Sequence, residues 1–161
     1  MRVAELALEA SNVLLGTVVG AGVNQSLFVM PDWFTSPPES VLNAQVGHPF
    51  KSFWIPLQAG CALALGGALA LNRAERRRRN LLALALGLYA GTWAATAGYF
   101  APEIMRLGDK DSVIAISEAT RRARRWQRLT WARHLALAGA WVLTALAIAQ
   151  RPRALRTRLR G

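Results

Sequence analysis

Few residues in this sequence can do chemistry, and most of them fall near the ends of apolar stretches. The titratable candidates are His134, His48 and Glu103, with Arg133 as a fixed cation and Asn24 as a neutral hydrogen-bond donor. Around them stand Trp54, Gln58, Trp93, Trp126 and Thr130. Helical spacing puts Tyr89, Trp93, Thr96, Phe100 and Glu103 on one face, Trp54, Gln58 and Cys61 on another, and Trp126, Thr130 and Arg133 on a third. Together these faces are expected to converge on one cavity at one end of the molecule. A pocket with one potential base, one acid, one fixed cation and several indoles would suit a flat aromatic or quinone-like ligand. Ionisable groups inside apolar helices are costly and therefore functional candidates by default.

The charge distribution dictates the elements that position them. Residues 10–31, 52–72, 80–102 and 135–150 contain no Asp, Glu, Lys or Arg, so all 29 charges lie in the other half of the 161-residue chain. A soluble helical protein spreads charge along the outer face of every helix. Three of these stretches are long enough to cross a bilayer outright, and the fourth becomes so if it starts near Trp131. The expected fold is all-α: an integral membrane four-helix bundle with spans at about 4–30, 53–72, 81–101 and 131–150, and a basic cytoplasmic tail at 151–161. Pro31 and Asp32 are expected to end the first span. Pro56 is placed in the first turn of the second, where its missing N–H costs little. The short stretch 38–46 reads as a small helix capped by Ser36. Residues 111–128 are amphipathic and are expected to run as a helix, capped by Asp111 or Ser112, into the fourth span.

With the N-terminus inside, the inner segments carry 11 basic and 3 acidic residues and the outer ones 9 and 6, which together account for the net charge of +11. The excess favours both termini in the cytoplasm of a bacterial-type membrane. The first segment, with Glu5 and Glu9 in place of a basic start, does not read as a cleaved signal and is expected to be retained. The expected partners are the bilayer, anionic lipid headgroups and a hydrophobic aromatic small molecule, with a homo-oligomer left open. Nucleic acid is not among them, because the arginines flank apolar spans.

Several classes are excluded. The apolar content is too high for disorder. A single cysteine, Cys61, rules out a disulfide scaffold and a quinone-linked disulfide oxidase. The sequence holds no phosphate loop, dinucleotide fingerprint, nucleophile elbow or haem-attachment motif. His48 and His134 are not at an i, i+3 or i+4 spacing, so a metal held by the two is open in three dimensions but unsupported by the sequence. Gly16 and Gly20 form a small-xxx-small pair that reads as close helix packing.

Four short motifs resemble the anthrone oxygenase-like family of small membrane proteins: FVMP at 28–31, FWIPL at 53–57, YFAPEIMRL at 99–107 and RARRWQRLTWARHLALAGAW at 122–141. The residues that match these motifs are Trp54, Pro56, Pro102, Glu103, Arg106, Trp126, Trp131 and Arg133. The resemblance implies an O₂-dependent oxidoreductase without organic cofactor that converts an anthrone to a quinone. Such a site needs a base, a donor for the developing oxyanion and a dry aromatic slot. His134 or His48 would be the base, with Glu103 next in line. Arg133 or Asn24 would hold the oxyanion, and Trp54, Trp93 and Trp126 would form the slot, with Gln58 and Thr130 beside them. The alternatives are a non-catalytic membrane accessory subunit and a small metal-binding or transport protein.

Overall fold

The computed structural model describes residues 2–36, 39–41, 43, 50–109 and 114–150, and among these it is helical, without strands. Helix α1 (Arg2–Asn24) passes through a π-helical turn at Gln25–Val29 into the short α2 (Met30–Trp33). Helix α3 covers Phe50–Leu71 and α4 covers Arg76–Ala95. A second π-turn at Thr96–Phe100 leads into α5 (Ala101–Leu107), and α6 runs unbroken over Ile116–Ala149. Four of the helical segments, Val3–Trp33, Ser52–Leu71, Arg76–Leu107 and Ile116–Ala149, are long and apolar enough to cross a membrane.

The prolines explain why the helices outrun their expected ends. Proline lacks an N–H and its ring collides with the carbonyl four residues back. Before Pro31 and before Pro102 the chain widens by one residue: the Met30 N–H reaches Gln25 O and the Ala101 N–H reaches Thr96 O, each a five-residue step. Pro31 therefore does not end the first helical segment, which continues to Trp33, and the third continues past Pro102 to Leu107. Pro56 lies inside α3 rather than in its first turn, because that helix already starts at Phe50. Helix α6 starts at Ile116 behind Ala115, not at the expected Asp111 or Ser112 cap, which lie outside the described residues along with most of 38–46.

Each long helix packs on two others: α1 on α3 and α6, α4 on α3 and α6. The core they share is built from Leu8, Leu15 and Val18, Cys61 and Leu65, Leu82, Ala85 and Tyr89, and Leu137 and Ala140. Polar side chains tie the helices across it. Asn12 donates to the Trp141 carbonyl at 3.1 Å and to Thr144 Oγ1 at 2.7 Å, and the Tyr89 hydroxyl lies 2.7 Å from both the Gln58 carbonyl and its Oε1. The Gly16/Gly20 pair does not act as a pair: a Cβ on Gly16 would press the Trp141 indole at 3.2 Å, whereas Gly20 faces open space.

One end is closed by a single cation. Arg78, the only buried member of its arginine run, donates to Glu5 Oε1 at 2.6 Å, to the Gln150 carbonyl at 2.9 Å and to Asn72 Oδ1 at 3.3 Å. It thereby joins the first turns of α1 and α4 to the final residues of α3 and α6, with a positive charge at the α6 C-terminus where the helix dipole favours it. Removing one partner of a buried pair strands the other. Arg78→Met is expected to lower unfolding free energy by about 2 kcal/mol, the Glu5 carboxylate being partly exposed, while the exposed Arg76→Met stays within about 0.5 kcal/mol. Thermal unfolding of the detergent-solubilised variants checks both.

Candidate functional site

At the opposite end the two π-turns meet α6. Met30, Trp33, Phe100 and Trp126 form a buried cluster there, with the Trp126 ring 5.6 Å from Phe100 and 5.8 Å from Phe34. The Trp126 indole N–H donates to the Phe100 carbonyl at 3.0 Å, and Thr130, fully buried, donates back to the Trp126 carbonyl.

Directly below lies His134, on the inward face of α6 and only 5% exposed. Its Nε2 is 2.7 Å from Ser26 Oγ, and the same hydroxyl is 3.4 Å from the Met30 sulfur. Its Nδ1 is buried without a hydrogen-bond partner among the described residues. Trp131 packs edge-on at 5.6 Å. The imidazole fits only because residue 22 is glycine: a Cβ there would lie 2.7 Å from Cε1 and 3.1 Å from Nδ1. Ser26 sits within the first π-turn, an element that recurs at functional sites.

Arg133, one residue earlier, projects about 100° around the helix and so leaves on a different flank. Its Nη1 donates to Thr96 Oγ1 at 3.2 Å and its guanidinium stacks 4.6 Å from the Phe100 ring centre. No carboxylate pairs with it among the described residues. This flank opens into a lateral groove of about 480 Å³ between α4 and α6, floored by Gly87, Gly91, Ala132 and Ala136 and walled by Tyr99 and Phe100.

The remaining candidates are dispersed. Glu103 is 9% exposed and faces Arg122 Nη1 at 3.7 Å, above the aromatic cluster. Arg122 Nε also donates to Glu118 Oε1 at 2.8 Å, so one guanidinium serves two carboxylates. Asn24 is exposed, and Trp93 is 43% exposed because Thr92, not Trp93, takes the inward position after Tyr89. Trp54 packs against the central core, and Gln58 is engaged with Tyr89 there. His48 lies outside the described residues. The expected single cavity is thus divided: Trp126, Thr130 and His134 line up on the inward face of α6, whereas Arg133 reaches the lateral groove. Sequence reasoning missed Ser26 and Gly22. The only signal for Ser26 was three successive polar residues, Asn24 to Ser26, inside an apolar span. Among the described residues no three His, Cys, Asp or Glu side chains gather as a metal site would require.

Comparison with models of known families, with curated proteins and with solved structures gives no match. The contact between Gly22 and His134 yields a direct check. Gly22→Ala is expected to displace the imidazole and cost about 1–3 kcal/mol, whereas Gly20→Ala, facing open space, is near neutral or slightly stabilising. Thermal unfolding paired with the His134 ring signals in an NMR spectrum reads both effects.

Proposed function

We propose that this chain is an integral membrane four-helix bundle that oxidises a lipophilic, anthrone-like aromatic to a quinone with O₂. The anthrone-oxygenase resemblance supplies the reaction class. The observation that carries the reading is the buried imidazole of His134, which keeps one ring nitrogen unengaged inside apolar helices. A titratable group so placed is expensive and is a functional candidate before a structural one.

In this reading His134 takes a proton from the acidic CH₂ of the substrate. Ser26, 2.7 Å from the imidazole, is the neighbouring hydroxyl that can pass a proton or donate to the substrate oxygen. The fixed charge of Arg133 favours the substrate anion through a medium of low dielectric without touching it. Trp126, Trp131 and Met30 supply apolar surface that excludes water. The electron-rich carbanion reduces O₂. One oxygen atom becomes the new carbonyl, and the other leaves as water with the two hydrogens of the CH₂ group, so one O₂ accepts the four electrons that each substrate gives up.

A second reading, a non-catalytic membrane subunit, is favoured by the outward Trp93, Trp131 and Trp141, each at least 40% exposed, which would be contact surfaces for lipid or a partner. Both readings place the chain in a membrane with its two ends on one side.

Purified protein in detergent, assayed for metal content, quinone absorbance and O₂ uptake with an anthrone, separates them. Oxidase function is expected to give one O₂ consumed per quinone formed. His134→Ala should then lose about 100-fold or more in rate, with Glu103→Gln affected less and the exposed Asn24→Ala within about twofold. Full activity of His134→Ala would remove the base from its assigned role, and no turnover in the parent protein would favour the subunit.

A further inference from the structure

The groove beside Arg133 has no part in the proton transfer, and a second hollow lies on the preceding turns of α6. Arg124, Arg125 and Arg128, with Ser117 and Thr120, line a cationic depression of about 640 Å³ on the exposed face of α6. Arg121 completes it but is paired with Glu118. Arg124, Arg125 and Arg128 have no carboxylate partner among the described residues. The two hollows share no lining residue but follow one another along α6. Arg125, Leu129, Ala132 and Ala136 follow the i, i+4, i+7, i+11 spacing, so the arginines stand immediately above the apolar groove.

From this we infer that the α4–α6 flank binds one anionic phospholipid, with an acyl chain in the groove and the phosphate among Arg125, Arg128 and Arg133. The inference rests on the membrane placement proposed above, and Arg133 is the one residue it shares with the oxidase reading.

Three features select that occupant. The groove runs from Gly87 to Phe100 along α4 and the second π-turn, a rise of about 20 Å, which suits an extended acyl chain better than a compact ring system. Its floor is glycine and alanine, so a chain can lie against the backbone without displacing side chains. Its upper end carries a guanidinium whose partners among the described residues are one hydroxyl and one ring face, with arginines that lack a carboxylate partner there one and two turns beyond. Uncompensated arginines at the membrane surface attract anionic headgroups, and a phosphate accepts from several guanidinium forks at once. A zwitterionic lipid would fill the groove but bring its own cation to the arginines.

The test is competitive lipid binding to the full-length protein, delipidated in mild detergent and read by native mass spectrometry. The probes are phosphatidylglycerol and phosphatidylcholine of identical acyl chains. One lipid per chain is expected, with phosphatidylglycerol preferred by about tenfold. Arg125→Gln combined with Arg128→Gln, both exposed and safe for folding, should bring the two lipids to parity. Gly91→Leu should weaken both, since nothing lies within 4 Å of its Cβ and the new side chain occupies the groove instead of clashing. Gly20→Leu, equally open but on α1, should leave binding unchanged.

Equal binding of the two lipids by the parent protein would overturn the proposal, as would indifference to Gly91→Leu. Displacement of phosphatidylglycerol by millimolar inorganic phosphate would do the same, since it would point to a free anion. Extraction of the protein from cell membranes by alkaline carbonate would instead defeat the membrane placement itself, and that outcome is read separately.

Discussion

The architecture depends first on one buried guanidinium. Four helices that each contain a long uncharged stretch slide and rotate easily against one another there, because apolar contacts do not fix register. Arg78 fixes it at one end by taking acceptors from three other parts of the chain: a carboxylate, a side-chain amide and a terminal backbone carbonyl. Each of those acceptors needs a donor once it is removed from water, so the arrangement is held from both sides. Asn72 donates in turn to the Ala68 carbonyl, which closes the end of α3. With that end tied, Asn12 and Tyr89 meet their partners at mid-height and the opposite end can be shaped for other purposes.

That opposite end is shaped by proline. Two prolines that would break ordinary helices are accommodated by π-turns, and the extra residue in each rotates the next helical stretch by about 100°. The face of the third helical segment changes neighbours at this point. Before the turn Leu82, Ala85 and Tyr89 address the central core; from its last residue onward Phe100 meets Trp126, Glu103 meets Arg122 and Leu107 joins Val41 and Ala119. The π-turn in the first segment likewise carries Ser26 to the imidazole of His134.

The polar groups of α6 are sorted by a single residue step. His134 points into the helices and meets a hydroxyl and a glycine; Arg133 points to the flank and meets a hydroxyl, a ring and the open groove. A neutral imidazole can be enclosed at modest cost, whereas a guanidinium without a carboxylate partner cannot, so it lies at the edge of an open groove. This separation gives the two sides of one helix different character: a buried imidazole on one, a cationic groove open at the surface on the other.

The sequence by itself determined the all-helical class, the four apolar stretches and the continuity of the amphipathic segment with the last helix. Charge exclusion over about twenty residues and helical periodicity are local properties, legible without knowing any neighbour. It also singled out His134, Trp126 and Thr130 as sharing an end of the molecule, because all three lie within nine residues of one helix. Only the tertiary structure decided the rest. Which of four consecutive arginines is buried depends on where the ends of three other helices fall. Whether Thr92 or Trp93 turns inward depends on the rotation of α4 against its neighbours, since the two differ by one residue step on the same wheel. That Gly22 and Ser26 are the partners of His134 follows from the packing of α1 on α6 across more than a hundred residues of chain, and no spacing along the sequence encodes such a contact.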